Sequence, residues 1–267
     1  MERRCYFLVG DKFKGFAEGK EVLTLNQLQA LASLPKELMN ICAVLKLGQG
    51  VREEDVRSIL SKYEEGEDCV PFLELSDLHR VKDRADGNLS HKKLPYNTLI
   101  GVPRRLSDEE FMIPLNIDER CELMGDHQTG QHVQGMIVIE AFRQSFLAVT
   151  ETFFPLQSEQ TYFVINAMNT TFMNFLFPLP ADVEYRIVDR RRKGLHARYN
   201  VIMSVVQNDV ACATADVSFT VYPASRIASK EAELARQVTQ EMLGAQQEVV
   251  RSFQPESDGT QLVELNR

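Results

Sequence analysis

The sequence lacks the features that mark several common classes of protein. Its five cysteines are scattered and never spaced as Cys-x-x-Cys, which indicates reduced thiols rather than a disulfide framework or a zinc site. No apolar run approaches the roughly 18 residues that a membrane helix needs. The apolar stretch near the N-terminus is also too short for a signal peptide. We therefore expect a cytoplasmic protein with no membrane partner.

Positive charge is scarce as well. The chain of 267 residues has 38 acidic residues against 30 Lys and Arg, a net charge of −8. A nucleic-acid-binding surface needs a basic excess to displace counterions from phosphates, so we expect no nucleic-acid partner. One dense basic run, Arg190-Arg191-Arg192-Lys193, precedes Gly194 between two predicted strands. It is interpreted either as a solvated hairpin turn or as a docking patch for an anionic partner.

The first 78 residues alternate between strand-like and helix-like segments. Apolar runs predict strands at 6–9, 41–47 and 70–75, and helical spacing predicts helices at 25–34 and 52–63. Thr24 is placed to cap the first of these helices. Because parallel strands need crossover helices, residues 1–78 predict a small parallel α/β unit. Gly48-Gln49-Gly50 lacks the third glycine of a dinucleotide-binding loop, so we interpret it as a turn.

The rest of the chain predicts a second, larger domain. Residues 79–88 are polar and charged and predict a linker to a domain at 89–228. That domain has a long apolar helix at 135–154 and strand-like segments at 98–102, 110–114, 162–172, 183–189, 196–207 and 210–222. One buried helix followed by long strands predicts an α+β fold, an antiparallel sheet wrapped around a central helix. Residues 229–267 predict a C-terminal helix and a flexible tail.

The long helix carries charged residues within an apolar sequence. Glu140 and Arg143 are three residues apart, so they lie side by side on one face and can contact each other or a shared ligand. Such residues are rarely buried unless they are paired, so a purely structural ion pair is one interpretation. A loop with Asp126, His127 and His132 precedes the helix, whose N-terminus can stabilise developing negative charge. This arrangement favours the second interpretation, a site that does acid–base chemistry.

These residues form a pattern that resembles the A-factor (γ-butyrolactone autoregulator) biosynthesis hotdog family. The pattern comprises Asp126-His127, His132-Val133, Gly135-Met136, Glu140-Ala141 and Arg143-Gln144, preceded by His91-Lys92, Pro95, Asn97 and Leu99. Gln134 replaces the family's usual proline, and Gln131 replaces a common aspartate. The family carries two such repeats, whereas this chain has one. The helix also resembles that of 3-hydroxyacyl-carrier-protein dehydratases, but Asp126 stands where their catalytic histidine is expected.

The resemblance implies a hotdog fold over residues 89–228 and an acyl-thioester enzyme of specialised metabolism. It implies transfer of a β-ketoacyl group from acyl carrier protein or coenzyme A to a hydroxyl of a small acceptor such as dihydroxyacetone phosphate. Glu140 would be the general base, and Arg143 would hold the phosphate or the oxyanion. The expected substrate-binding residues are Asp126, His127, His132, Gly135, Met136 and Gln144.

Several points stay open within this resemblance. No cofactor and no metal are expected, and a single hotdog predicts a homodimer through the hotdog sheets. The basic run at 190–193 would then be a docking patch for carrier protein or for the phosphates of coenzyme A. A dehydratase or thioesterase with the same fold is one alternative. A non-catalytic module that binds acyl chains or carrier protein is the other.

Overall fold

The computed structural model describes residues 4–34, 43–64, 75–125, 129–156 and 160–252. Within the first two ranges lies a small parallel sheet with the strand order β2-β1-β3. Its elements are β1 (Arg4–Val9), α1 (Lys14–Ala17), β2 (Val22–Thr24), α2 (Leu25–Ala32), β3 (Ala43–Leu47) and α3 (Glu53–Glu64). The Gln27 backbone amide donates to the Thr24 hydroxyl oxygen, and the Thr24 backbone amide donates to Gln27 Oε1. The predicted helix cap is therefore confirmed.

The segment after this unit is packed against the protein. A 3-10 helix at Ser76–Asp83 overlaps the predicted linker at 79–88, and its Leu78 and Val81 are buried. Apolar side chains within the polar sequence give this segment a core-facing side. Most of the strand predicted at 70–75 lies outside the described residues, and the domain boundaries stay predictions. The short helix α4 (Gly87–Ser90) follows.

A six-stranded antiparallel sheet forms the larger part of the chain, with the order β4-β5-β7-β8-β9-β6. Its strands are β4 (Arg104–Arg105), β5 (Glu110–Pro114), β6 (Thr161–Phe172), β7 (Asp182–Lys193), β8 (His196–Gln207) and β9 (Val210–Pro223). Buried and exposed residues alternate along β7, as expected for a sheet with one face against the core. The segment predicted as a strand at 98–102 forms isolated bridges instead, Ile100 with Leu115 and Gly101 with Arg84.

The long helix α5 (Gly135–Phe153) fills the concave face of this sheet. Phe142 and Phe146 on the helix are buried, and the Phe146 ring stacks on Phe219 of β9 with 4.5 Å between centroids. Burying such large aromatic side chains is the main stabilisation available to this core. The predicted α+β hotdog fold is therefore confirmed, together with the small parallel sheet at the N-terminus.

The N-terminal unit shares its core with the large sheet. Val9, Phe13 and Phe16 belong to the same buried cluster as the α5 side chains. The Gly48–Gly50 segment connects the N-terminal unit to the rest of the chain by hydrogen bonds. The Gly50 amide donates to the Ile117 carbonyl at 2.9 Å. Gln49 also bonds to residue 117, whose amide donates to Gln49 Oε1 at 2.9 Å. The interpretation of this segment as a turn is supported, since its backbone groups are used within the protein.

The C-terminal helix α6 (Ala224–Ser252) leaves the sheet at the end of β9. Ile227 is buried, whereas the residues from 228 to 247 are exposed. The predicted surface helix is confirmed and starts five residues earlier than expected, and the predicted tail lies outside the described residues. No helix in the described part of the chain is long and apolar enough to span a membrane.

Candidate active site on the central helix

The N-terminus of α5 borders an apolar cavity of about 510 Å³. The cavity is lined by His132, Val133, Gly135, Val138, Phe172, Met173, Asn174, Phe175, Leu176, Cys212 and Ala213. A side chain at Gly135 would place its Cβ 3.0 Å from the Phe172 ring, so glycine keeps the helix close to β6. Gln134, the N-cap residue, makes no side-chain capping bond. The Ile137 amide donates to the Gln134 carbonyl at 3.2 Å, and the amides of Gly135 and Met136 at the start of α5 have no partner among the described hydrogen bonds.

Cys212 lies in the wall of this cavity and is buried. Burial raises the pKa of its thiol, so the sulfur is protonated at neutral pH. Because the thiolate is the nucleophilic form, Cys212 is unsuited to attack a thioester. The cavity is therefore suited to holding an apolar chain rather than to covalent catalysis by cysteine.

Glu140 sits where three donors converge on its carboxylate. The Lys92 ammonium lies 2.8 Å from Glu140 Oε1. The Arg143 guanidinium donates to the same oxygen at 3.1 Å, and so does the Gln144 amide, also at 3.1 Å. All three contacts reach Oε1, so they leave Oε2 to accept a proton from a ligand. Glu140 and Arg143 contact each other, which is one of the two possibilities that their spacing allowed, and Lys92 is a partner that sequence reasoning missed.

The side chain of Gln144 is buried and hydrogen-bonded within the protein. Its side chain is fully buried, with 0% relative exposure. Its amide nitrogen donates to the Asn97 carbonyl at 2.8 Å, and its oxygen accepts from the Leu99 amide at 2.8 Å. These bonds fasten the 97–99 segment to α5. In the structure the Gln144 side chain bonds to the 97–99 backbone and to Glu140, and its expected role in substrate binding stays a prediction.

The two halves of the sequence motif meet in the fold. Lys92 reaches Glu140, and Leu99 reaches Gln144, so the segment 92–99 lies along one side of α5. Asn97 Nδ2 donates to Glu122 Oε2 at 3.0 Å, and the Glu122 amide donates back to Asn97 Oδ1 at 3.0 Å. This pair ties the segment to the 3-10 turn Glu122–Gly125 that leads toward α5.

Met136, Glu140 and Arg143 share one face of α5, because they are spaced four and three residues apart. Met136 is 55% exposed, and the Glu140 and Arg143 side chains are 17% and 35% exposed. The described residues lining the 510 Å³ cavity do not include Glu140 or Arg143. The cavity reaches α5 at Gly135 and Val138. At 3.6 residues per turn, these two residues face a different side of the helix from Met136, Glu140 and Arg143.

The loop before α5 contains three of the residues that we expected to bind substrate. Asp126 and His127, both expected to bind substrate, lie outside the described residues. His132 lines the cavity, where its ring lies 4.8 Å from that of Phe175. Its Nδ1 is 3.4 Å from the Thr129 hydroxyl. No group of three or more His, Cys, Asp or Glu within the described ranges is placed to hold a metal ion.

His91 and Glu151 form a second polar pair that the sequence did not predict. His91 Nε2 lies 3.5 Å from Glu151 Oε1, and the Thr161 hydroxyl donates to the same oxygen. The hydrogen bond from His91, then that from Thr161, lowers the pKa of the Glu151 carboxyl against the opposing effect of burial. His91 is part of the first sequence motif, but its partner lies 60 positions away and belongs to no motif.

The basic run ends β7 at the turn before β8. Gly194 has a φ of +58° there, which favours glycine. Arg190 lies over the Phe154 ring at 4.5 Å from its centroid, and Arg191 pairs with Asp189 at 2.9 Å. Phe154 follows the C-terminus of α5, at the end opposite the cavity. The four basic residues therefore belong to strand β7 rather than to the hairpin turn, which Gly194 and Leu195 form, and the role as a docking patch stays a prediction.

The sequence matches the A-factor biosynthesis hotdog domain family over residues 73–223, more than half of the chain. No curated protein matches it.

Several solved structures have a similar shape. A candidate thioesterase from Shewanella oneidensis is 13% identical, with a TM-score of 0.38 over 50% of this chain and 92% of that one. A phenylacetic acid degradation-related protein from Ralstonia eutropha is 15% identical, with a TM-score of 0.35 over 45% and 83%. A mutant thioesterase from Pseudomonas aeruginosa is 16% identical, with a TM-score of 0.33 over 51% and 85%. Likeness at this level adds nothing about the activity of this chain.

Proposed function

Since the chain belongs to the A-factor biosynthesis hotdog domain family, we propose that it processes acyl thioesters as an acyltransferase. It transfers a β-ketoacyl group from acyl carrier protein or coenzyme A to a hydroxyl of a small phosphorylated acceptor. The observation that carries this proposal is the Glu140 carboxylate, held by Lys92, Arg143 and Gln144 through one oxygen. Its second oxygen is left to accept the proton of the attacking hydroxyl.

The N-terminus of α5 activates the thioester carbonyl, which is the electrophile of the reaction. The acyl chain lies in the apolar cavity, and the thioester carbonyl lies at the first amides of α5, beside Gly135. These amides stabilise the oxyanion that forms when the hydroxyl attacks the carbonyl carbon. The carbon–sulfur bond then breaks, the departing thiolate takes up the proton that Glu140 accepted, and an ester forms. Arg143, on the Glu140 face, holds the oxyanion or the acceptor phosphate.

A second copy of the chain completes this site in our proposal. The family has two hotdog repeats where this chain has one, and the Met136–Glu140–Arg143 face is partly exposed. The edge strand β6 offers the pairing surface, since it is twelve residues long and ends the sheet. A homodimer through the hotdog sheets would cover this face and exclude water from it.

The test supplies purified protein with β-ketoacyl thioesters of coenzyme A and of carrier protein, with and without dihydroxyacetone phosphate. Thiol release and product mass are measured for the wild type, Glu140→Gln and Arg143→Ala. We expect acceptor-dependent ester formation that falls by about 10²-fold or more in Glu140→Gln, the usual contribution of a general base. Glu233→Gln and Arg236→Ala on the exposed helix α6 are matched controls with unchanged rates.

Other outcomes of this experiment decide between the remaining functions. Thiol release that is the same without acceptor would indicate a thioesterase, and loss of water from a 3-hydroxyacyl thioester would indicate a dehydratase. Thioester binding without turnover, unaffected by Glu140→Gln, would indicate a binding module. Undiminished turnover in both site variants would remove Glu140 and Arg143 from the mechanism.

A further inference from the structure

A second cleft lies beside Glu151, near the C-terminal end of α5. Its volume is about 630 Å³. Its lining includes His91, Lys92, Lys93, Glu151 and Thr161. Neither the family pattern nor the composition of the chain assigns a ligand to it.

Basic side chains outnumber acidic ones in the lining of the cleft. Lys92, Lys93 and His91 line it, and Glu151 is the acidic residue among the described lining groups. The Glu151 carboxylate already accepts from the Thr161 hydroxyl and lies against His91. Lys92 pairs with Glu140, so Lys93 is the cationic lining residue for which the described residues give no ion pair. A cation without a partner in a concave surface attracts anionic ligands.

The backbone at the cleft is held in an uncommon conformation. His91 ends α4 with a φ of +54°, in the left-handed region, and its amide donates to the Gly87 carbonyl. The Lys92 amide donates to the same carbonyl at 2.8 Å. Non-glycine residues adopt this conformation infrequently, and it is found repeatedly at functional sites. The turn is therefore built by specific backbone bonds.

This turn sends two neighbouring side chains to two carboxylates on α5. His91 reaches Glu151, and Lys92 reaches Glu140, eleven residues earlier on the helix. Lys92 lines the cleft while its ammonium contacts the proposed general base. The cleft and the proposed reaction centre thus share one residue, Lys92.

We propose that this cleft binds a phosphate group of the substrate, with Lys93 and His91 as its contacts and Lys92 as the link to Glu140. This proposal rests on the proposed function, because that function identifies the substrate that carries the phosphate. Lysine binds phosphate as a compact point charge, and a histidine ring N–H donates to phosphate oxygens. The phosphate belongs either to the coenzyme A or phosphopantetheine carrier or to the acceptor.

The first arm of the test needs no catalytic activity. Binding of pyrophosphate to the full chain is measured by calorimetry at low salt for the wild type, Lys93→Ala and His91→Asn. Asparagine tolerates the left-handed backbone, so this variant keeps the turn. We expect affinity to fall about tenfold or more in each variant, the usual effect of losing a charged hydrogen bond. Lys230→Ala on α6 is the matched control, with unchanged affinity.

The second arm identifies the source of the phosphate. KM is compared between acyl-coenzyme A and acyl-pantetheine, and between dihydroxyacetone phosphate and dihydroxyacetone. If the cleft binds the carrier, Lys93→Ala raises KM for acyl-coenzyme A and not for acyl-pantetheine. If it binds the acceptor, the variant raises KM for the phosphorylated acceptor alone. Either pattern supports the proposal.

The two proposals fail in different ways. If no thioester is turned over, the proposed function fails. Pyrophosphate binding then still decides whether the cleft binds phosphate. If thioesters are turned over while Lys93→Ala and His91→Asn leave both pyrophosphate affinity and every KM unchanged, the cleft is not a phosphate site.

Discussion

At the residue scale, Gln144 shows how a buried polar side chain can specify the site around it. Both ends of its amide group are used, by the Asn97 carbonyl and the Leu99 amide, within a fully buried environment. A buried backbone group without a partner costs free energy of the order of a lost hydrogen bond. Gln144 therefore holds in place the segment that also supplies Lys92 to Glu140.

We expect Gln144→Leu to lower the free energy of unfolding by about 2–6 kcal/mol. The substitution puts an apolar side chain of similar size in place of the amide but leaves a buried carbonyl and a buried amide unpaired, at about 1–3 kcal/mol each. Urea unfolding of the purified variant measures the loss. Gln237→Leu on the exposed face of α6 is the control, with a change within about 0.5 kcal/mol. Equal stability of the two variants would contradict the structural role of Gln144.

At the element scale, the edge strand β6 carries apolar side chains that the single chain leaves exposed. Ile165 lies opposite Phe219 of β9, so both side chains point to the concave face of the sheet. Ile165 is nevertheless 42% exposed, and Phe172 near the end of the strand is 52% exposed. A long edge strand with exposed apolar residues favours pairing with another strand. This is the surface that the proposed homodimer would use.

Light scattering should give the mass of a dimer for the wild type, and Ile165→Lys should weaken the dimer. Placing a charge without a partner at the covered edge is unfavourable, so the dimer dissociation constant should rise about tenfold or more. Val188→Lys is the matched control, because Val188 is 56% exposed on the interior strand β7. A monomeric wild type, or equal dissociation constants for the two variants, would rule out β6 as the interface.

At the scale of the whole molecule, the N-terminal unit and the hotdog sheet behave as one packed body. Phe13 and Phe16 from the N-terminal unit lie in the core cluster that contains Phe142 and Phe146 of α5. The Phe16 amide also donates to the Gly130 carbonyl at 2.9 Å, and Lys12 Nζ donates to the Met124 carbonyl at 2.7 Å. The N-terminal unit therefore supports the turn residues that lead into α5.

We expect the full chain to unfold in a single cooperative transition, because the shared core cannot be lost in parts. Scanning calorimetry at a fixed protein concentration should give equal calorimetric and van't Hoff enthalpies per cooperative unit. Phe13→Ala, which removes a fully buried ring, should move that whole transition and cost about 3–5 kcal/mol. Two separate transitions, with only one shifted by Phe13→Ala, would show that the units fold independently.

The elements that the sequence predicted well are those encoded by local periodicity. The helix predicted at 135–154 is Gly135–Phe153, and the strand predicted at 196–207 is His196–Gln207. Apolar residues recur there with the period of the element itself, so a short window of sequence holds the signal. The segment at 98–102 has the composition of a strand, but the Leu99 backbone amide donates to Gln144 Oε1 there, and only isolated bridges form.

The same distinction holds for the candidate site. The contact between Glu140 and Arg143 was determined by the sequence, because helix geometry brings residues three apart together. Only the tertiary structure decided that Lys92 joins them, that His91 meets Glu151, and that the cavity opens at Gly135. These contacts join residues far apart in the chain. Their positions depend on how the helix packs in the sheet, which no local pattern of residues encodes.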